Sequence, residues 1–286
     1  MKNTLLTIIA LFFIQTHVYS QETRIDSLIY KRKDSVSLLI KVFNPPSIDS
    51  SKNYPAMVFF SGGNWNYGNM TQFELQAKYF SSRGIICFLA EYGVKGTHKM
   101  NVWECITDVK SSIRYIRENA NKFNIDENKI IAAGGSAGGH LAAATAIISC
   151  CDDPNDHLSI SSKPNALVLF NPAIDFGPSD PELFEMAGER YIEISPLQNI
   201  RSGVPPTIVL QGTADKYTPV SLIRYYKHVM EAVGSRCDLI LYEGQEHGFF
   251  NYSRSIKYYK ETVLEVDKFL HSLGYIDGEP TIMNEK

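Results

Sequence analysis

Residues 130–140, IIAAGGSAGGH, constrain this chain more than any other stretch: an apolar β-forming segment passes through Gly134-Gly135-Ser136-Ala137-Gly138 into an Ala- and Leu-rich run. A strand that becomes a helix over so few residues needs a sharp bend, and Gly134 and Gly138 remove Cβ atoms where the two segments crowd. The serine at the bend is held in a strained backbone conformation that presents its hydroxyl at the carboxyl edge of a sheet. The helix starting there aims unsatisfied N–H groups at the same point, beginning with Ala137. The segment therefore asks for a parallel sheet backed by a buried helix, with Ser136 as candidate nucleophile.

The rest of the chain agrees. Residues 56–60, 85–90, 130–133, 166–170, 207–210 and 238–242 are short, apolar and often β-branched, as strands buried on both faces require. Residues 36–43 read as an antiparallel lead-in strand. Between the strands, Ile106, Val109, Ile113 and Ile116 share a helical face, as do Tyr259, Val263, Val266 and Leu270. The run after Ser136 is apolar nearly all round, which predicts a helix buried against the sheet. The fold class is α/β, with a mostly parallel central sheet and helices on both faces. At 286 residues and 44% hydrophobic composition the chain fills such a core without metals or dense disulfides. Residues 172–205, irregular and rich in proline, read as a small lid insertion within one domain spanning 21–286.

Lys2 followed by the apolar run Leu5 to Ile14 and a polar stretch marks residues 1–20 as a secretory signal peptide, since the run is about half of the roughly 20 residues a spanning helix needs. The expected location is secreted or periplasmic. With 28 basic against 31 acidic residues and no long run of one sign, the chain offers no electrostatic footprint for nucleic acid or anionic lipid. Its five cysteines lack metal-ligand spacing and form no disulfide scaffold; most read as buried thiols, while the sequence leaves Cys150 and Cys151 open between bridging and staying reduced. His98, His157, His228 and His271 have no partners at ligand spacing, so no metal and no cofactor is expected.

Ser136 needs a base and an orienting acid. Asp215 follows the strand at 207–210 within Gly212-Thr213-Ala214-Asp215, and His247 follows the strand at 238–242, so both fall at the same sheet edge as the serine. Asp175, also after a strand, is the weaker candidate acid, because such residues commonly cap backbone amides. The loop after the strand at 56–60 reads Ser61-Gly62-Gly63-Asn64-Trp65, and its glycines let backbone N–H groups approach a developing negative charge. His140 reads as a packed histidine, Asp108 with Arg114 as a helix brace, and Trp65 and Trp103 as either core residues or platforms for a sugar or aryl group.

These residues resemble the α/β-hydrolase fold, and within it the secreted carbohydrate (acetyl/feruloyl) esterase branch related to the hormone-sensitive-lipase-like esterases. The resemblance runs from about Lys41 to Leu270, on the oxyanion loop at 61–65, the DVKSSIRYIR segment at 108–117, the elbow at 134–140, Asn171-Pro172 with Asp175, Gly212 to Asp215, and His247-Gly248-Phe249. It implies Ser136 as nucleophile, His247 as general base and acid, Asp215 as its orienter, and Gly63 and Ala137 as leading oxyanion donors with Gly62 and Asn64 beside them; Trp65, on the same loop, is the substrate-binding candidate. The chain departs from the family pattern at Ser61 and Asn64, where His-Gly-Gly-Gly-Trp is usual, and at Glu91-Tyr92-Gly93, where Asp-Tyr-Arg is usual.

The function expected is hydrolysis of short acyl, acetyl-like esters on a small molecule or polysaccharide through an acyl-enzyme, away from membranes once the leader is removed. A prolyl-oligopeptidase-like peptidase is disfavoured because the chain has no room for an accessory propeller, and a lipase because 172–205 holds no long apolar stretch. The alternative of a different kind is a non-catalytic binding module on the same fold.

Overall fold

The computed structural model describes residues 25–33 and 36–284; the expected signal peptide at 1–20 lies outside them. Eight strands appear in chain order: β1 (Ile25–Lys33), β2 (Val36–Phe43), β3 (Tyr54–Phe60), β4 (Ile86–Ala90), β5 (Ile125–Gly135), β6 (Ala166–Phe170), β7 (Thr207–Gly212) and β8 (Cys237–Tyr242). They form one sheet in the order β1-β2-β4-β3-β5-β6-β7-β8. β1 and β2 pair antiparallel, β2 joins β4 antiparallel, and the remaining neighbours are parallel. Reversals of order on either side of β3 bring the loops after β3 and β5 together above the middle of the sheet, where α/β sheets place their sites.

The helices are α1 (Glu74–Ser82), α2 (Lys95–His98), α3 (Val102–Glu118), α4 (Ala120–Phe123), α5 (Ala137–Ile147), α6 (Pro181–Ala187), α7 (Tyr191–Ile194), α8 (Val220–Ala232) and α9 (Ile256–Ser272). One face of the sheet packs against α3, α5 and α8 through side chains such as Ile106, Val109, Leu141 and Ile223. The other packs against α1 and α9 through Phe80, Val263, Val266 and Leu270. All eleven residues of α5 are buried, so the helix behind Ser136 is enclosed on every side. The 3-4-3 apolar spacing of α3 faces the core, and Asn101 with Glu104 closes its first turn in a reciprocal capping box.

The structure also adds to the sequence reading. β1 carries Lys31, which is held between Asp108 and Asp153 at 2.8 Å each, so an edge strand with a buried cation is stabilised by distant acids. Asp108 and Arg114 brace their helix through separate partners: Asp108 also accepts from Gly93 N–H, and Arg114 pairs with Asp152 and Asp156. β5 runs on beyond residues 130–133 because Gly134 and Gly135 continue its ladder to Leu169 and Phe170. Residues 172–205 contain α6 and α7 with two short 3-10 turns. Cys87, Cys105 and Cys237 are buried thiols, while Cys150 and Cys151 are partly exposed. Among the described residues no helix is long and apolar enough to cross a membrane.

Candidate active site

Ser136 sits between β5 and α5 with φ 54° and ψ −119°, a strained conformation for a residue with a Cβ. Its backbone is pinned on both sides: its N–H donates to Phe170 O at 2.9 Å, and its carbonyl accepts from His140 N–H at 3.0 Å. A Cβ on Gly134 would stand 2.2 Å from Gly138 O, and one on Gly138 would stand 2.0 Å from Phe60 O, so the bend exists only because both positions are glycine.

His247 Nε2 lies 2.8 Å from Ser136 Oγ, and its Nδ1 lies 2.8 Å from Asp215 Oδ2. The three residues come from loops after β5, β7 and β8 and meet at one sheet edge. Asp215 is buried, and its other oxygen accepts the N–H groups of Tyr217 and Thr218 at 2.9 Å each. Gln211 Nε2 donates to Asp215 Oδ2 at 3.1 Å, which leaves that oxygen shared between a neutral donor and the imidazole. A carboxylate so fixed keeps the proton on Nδ1 and leaves Nε2 free to accept from the serine hydroxyl. Asp175 does not reach His247; it takes Gly177 N–H, Ser179 Oγ–H and Gln198 Nε2–H, the capping role that strand-end acids adopt.

As the first residue of α5, Ala137 has no intrahelical acceptor for its N–H. The loop after β3 turns through Gly63, Asn64 and Trp65, the last two with φ 52° and 54°. Gly63 O accepts from both Asn66 and Tyr67 N–H at 3.0 Å, while among the described residues no acceptor faces the N–H of Gly63 or Asn64. The pair Ala137 and Gly63 thus offers two amides beside Ser136, with Asn64 next to them.

Two expected assignments are corrected. Gly62 N–H, expected among the oxyanion donors, is already satisfied by Gln72 Oε1 at 2.7 Å. Gln72 passes the connection on, donating to Asn251 Oδ1 at 3.0 Å, and Asn251 Nδ2 donates to Gly248 O at 2.8 Å. Trp65, expected at the substrate, borders the cavity but is only 4% exposed. Its indole N–H donates to His140 Nδ1 at 3.1 Å, and its ring meets Phe176 edge-on at 5.3 Å, so it is a core residue holding the loop. Ser61 braces the same loop by accepting Asn69 N–H at 3.2 Å on its hydroxyl and Tyr92 O–H at 2.7 Å on its carbonyl.

His140 is buried and neutral. Trp65 donates to Nδ1, so the ring proton sits on Nε2 and is donated to Ile194 O at 2.8 Å. Burial pushes its pKa down to about 4, against a smaller upward pull from the Ile194 carbonyl. Burial likewise raises the Tyr92 hydroxyl, which stays a donor at any ordinary pH.

Asn171 was legible only as part of a family-like motif. The structure gives it work: fully buried with φ 35°, it accepts Gly248 N–H at 3.0 Å and places Nδ2 3.3 Å from His247 Nε2. A cavity of about 880 Å³ opens over Ser136 and His247. Ala173, Asp180, Glu182 and Leu183 of the 172–205 excursion form part of its wall. Among the described residues no group of three or more His, Cys, Asp or Glu side chains is arranged to hold a metal ion.

Comparison with known proteins agrees with this architecture. A family model described as BD-FAE matches residues 41–187, which include the loop after β3 and the turn at Ser136. The Esterase LipC of Mycobacterium tuberculosis is 28% identical over 222 residues, covering 70% of this chain and 54% of that protein. An acetylxylan esterase of Xylanibacter ruminicola is 26% identical over 240 residues, 76% of this chain and 45% of the relative. The chain therefore spans about half the length of these two proteins. Among solved structures, esterase 2 of Thermogutta terrifontis with propionate bound superposes with a TM-score of 0.85 at 37% identity, over 89% of this chain and 96% of that one.

Proposed function

The chain belongs to the BD-FAE family of α/β-hydrolase-fold proteins, and from that premise we propose that it is a serine esterase removing short, acetyl-like acyl groups from carbohydrate. The observation that carries this reading is the relay of two 2.8 Å contacts from Ser136 through His247 to Asp215, set beside the free amides of Ala137 and Gly63.

Ser136 Oγ attacks the ester carbonyl while His247 Nε2 takes its proton. The carbonyl oxygen, now negative, is held by the N–H groups of Ala137 and Gly63, with Asn64 next to them. The alkoxide leaves with the proton returned by His247, and the acyl group remains on Ser136. Water, deprotonated by the same imidazole, then releases the acid and restores the serine. Asp215 holds the ring in its reactive tautomer and stabilises the imidazolium in both halves.

Preference for a short acyl group is supported by the likeness to the Thermogutta esterase, which was solved with propionate and with butyrate bound. A carbohydrate alcohol is supported by the relative named acetylxylan esterase and by the charged side chains of Asp180, Glu182, Lys216 and Arg254 on the cavity wall. Export, on the strength of residues 1–20, belongs to the same proposal.

The test is release of 4-nitrophenol from acetate, butyrate and octanoate esters by the protein and by Ser136→Ala. Turnover that falls with acyl length and vanishes in the variant, with Ser136 labelled by a fluorophosphonate, is the expected result. Absence of both turnover and labelling would reject the reading in favour of a binding role.

A further inference from the structure

Among the described residues, the two large apolar side chains that stand furthest into solvent are Tyr217, 72% exposed, and Tyr67, 70% exposed. Both line the cavity that holds Ser136 and His247. Exposed aromatic surface is common on proteins one ring at a time. Two such rings at one cavity mouth are a different matter, because each is anchored to the site by its backbone. Tyr217 N–H donates to Asp215 Oδ1 at 2.9 Å, and its ring meets the His247 ring edge-on at 5.1 Å. Tyr67 N–H donates to Gly63 O at 3.0 Å, within the loop that offers the oxyanion amides. One residue is tied through its backbone to the acid and the other to the loop after β3, and most of each side chain remains in water.

We infer that Tyr67 and Tyr217 form a stacking platform for a pyranose ring in the alcohol half of the ester. This inference rests on the carbohydrate-ester reading above and names the residues that make the choice. A pyranose has apolar C–H faces that lie flat on an aromatic ring and hydroxyls around its edge that need polar partners. The cavity supplies those partners in Asp180, Glu182, Lys216 and Arg254. The arrangement also supplies what Trp65 was expected to supply, since that indole is spent on His140.

The test combines binding and turnover. Xylotetraose is titrated calorimetrically into the wild-type protein and into Tyr67→Ala, Tyr217→Ala and Tyr217→Phe. Each alanine variant should weaken binding about tenfold, the loss of one stacked ring, while Tyr217→Phe, which keeps the ring, should stay within about twofold. In parallel, the ratio of kcat/KM for acetylated xylotetraose to that for 4-nitrophenyl acetate should fall about tenfold in the alanine variants. Failure of the wild-type protein to bind xylotetraose at concentrations up to about 20 mM, or equal binding by all four proteins, would overturn the platform. Loss of 4-nitrophenyl acetate turnover in the wild type, with xylotetraose binding intact and ring-dependent, would overturn the esterase reading and leave the platform standing.

Discussion

The two loops proposed to supply amides beside Ser136 are held in different ways. The elbow after β5 is fixed by close backbone approach: Gly134 lies against Gly138 O within the bend and Gly138 against Phe60 O at the end of β3, so closely that no side chain fits, and a fully buried helix follows. The loop after β3 is fixed from outside, by Gln72 on Gly62, Tyr92 on Ser61 and His140 on Trp65. Steric closure leaves one conformation and is marked in the sequence by the glycines it requires. Tethering recruits side chains from distant segments, and each tether can be cut separately. The elbow should therefore fail all at once, the other loop by degrees.

Ser136→Ala makes the deepest cut, with kcat falling about 10⁴-fold or more while the folded state persists, as a parallel rate assay and thermal melt will report. Gly138→Ala comes next. Its new Cβ meets Phe60 O, so urea unfolding should show a loss of about 3 kcal/mol and the rate a drop of about 10²–10³ as the Ala137 amide shifts. A melt indistinguishable from wild type would contradict steric closure.

The tethers predict smaller effects. His140 stays neutral in the fold down to about pH 4, whereas the unfolded imidazole takes up a proton near pH 6.5. Between those values the unfolded chain binds more protons, so stability is lost as the pH falls, by about 3 kcal/mol at about pH 4. Urea titrations at several pH values should show this slope, and His140→Gln should flatten it. Trp65→Phe leaves His140 Nδ1 buried without its donor and should cost about 1–3 kcal/mol in the same assay. Gln72→Ala releases the Gly62 peptide and the Asn251 amide; a fall of about tenfold in kcat with little change in KM is expected. A fall as large as that of Ser136→Ala would show that this loop is not held by independent tethers.

The same contrast explains what the sequence disclosed. The doubly buried strands and the α5 helix were legible because their burial leaves a local apolar signature, and Ser136, Asp215 and His247 because each follows an apolar strand, although β8, expected to be buried on both faces, is a half-exposed edge strand. β1 was not, since its Lys31 is acceptable only beside Asp108 and Asp153, far along the chain. Gln72 and Asn251 carry no local signal either: a glutamine before a helix and an asparagine in a turn acquire meaning only when 179 residues of chain bring them within hydrogen-bond reach. Trp65 was assigned to substrate because the loop's position was readable and its side chain's direction was not.

The chain of contacts from Trp65 through His140 to the carbonyl of Ile194 joins three segments: the loop after β3, the nucleophile helix, and the excursion at 172–205. That excursion is consequently no interchangeable cassette. Grafting a different cover onto this scaffold to alter selectivity would delete the acceptor that fixes the His140 tautomer, and the disturbance would arrive, two hydrogen bonds later, at the loop proposed to supply the Gly63 amide. A transplant that keeps Ile194 and its carbonyl in place defines the smallest unit in which this active site can be re-engineered.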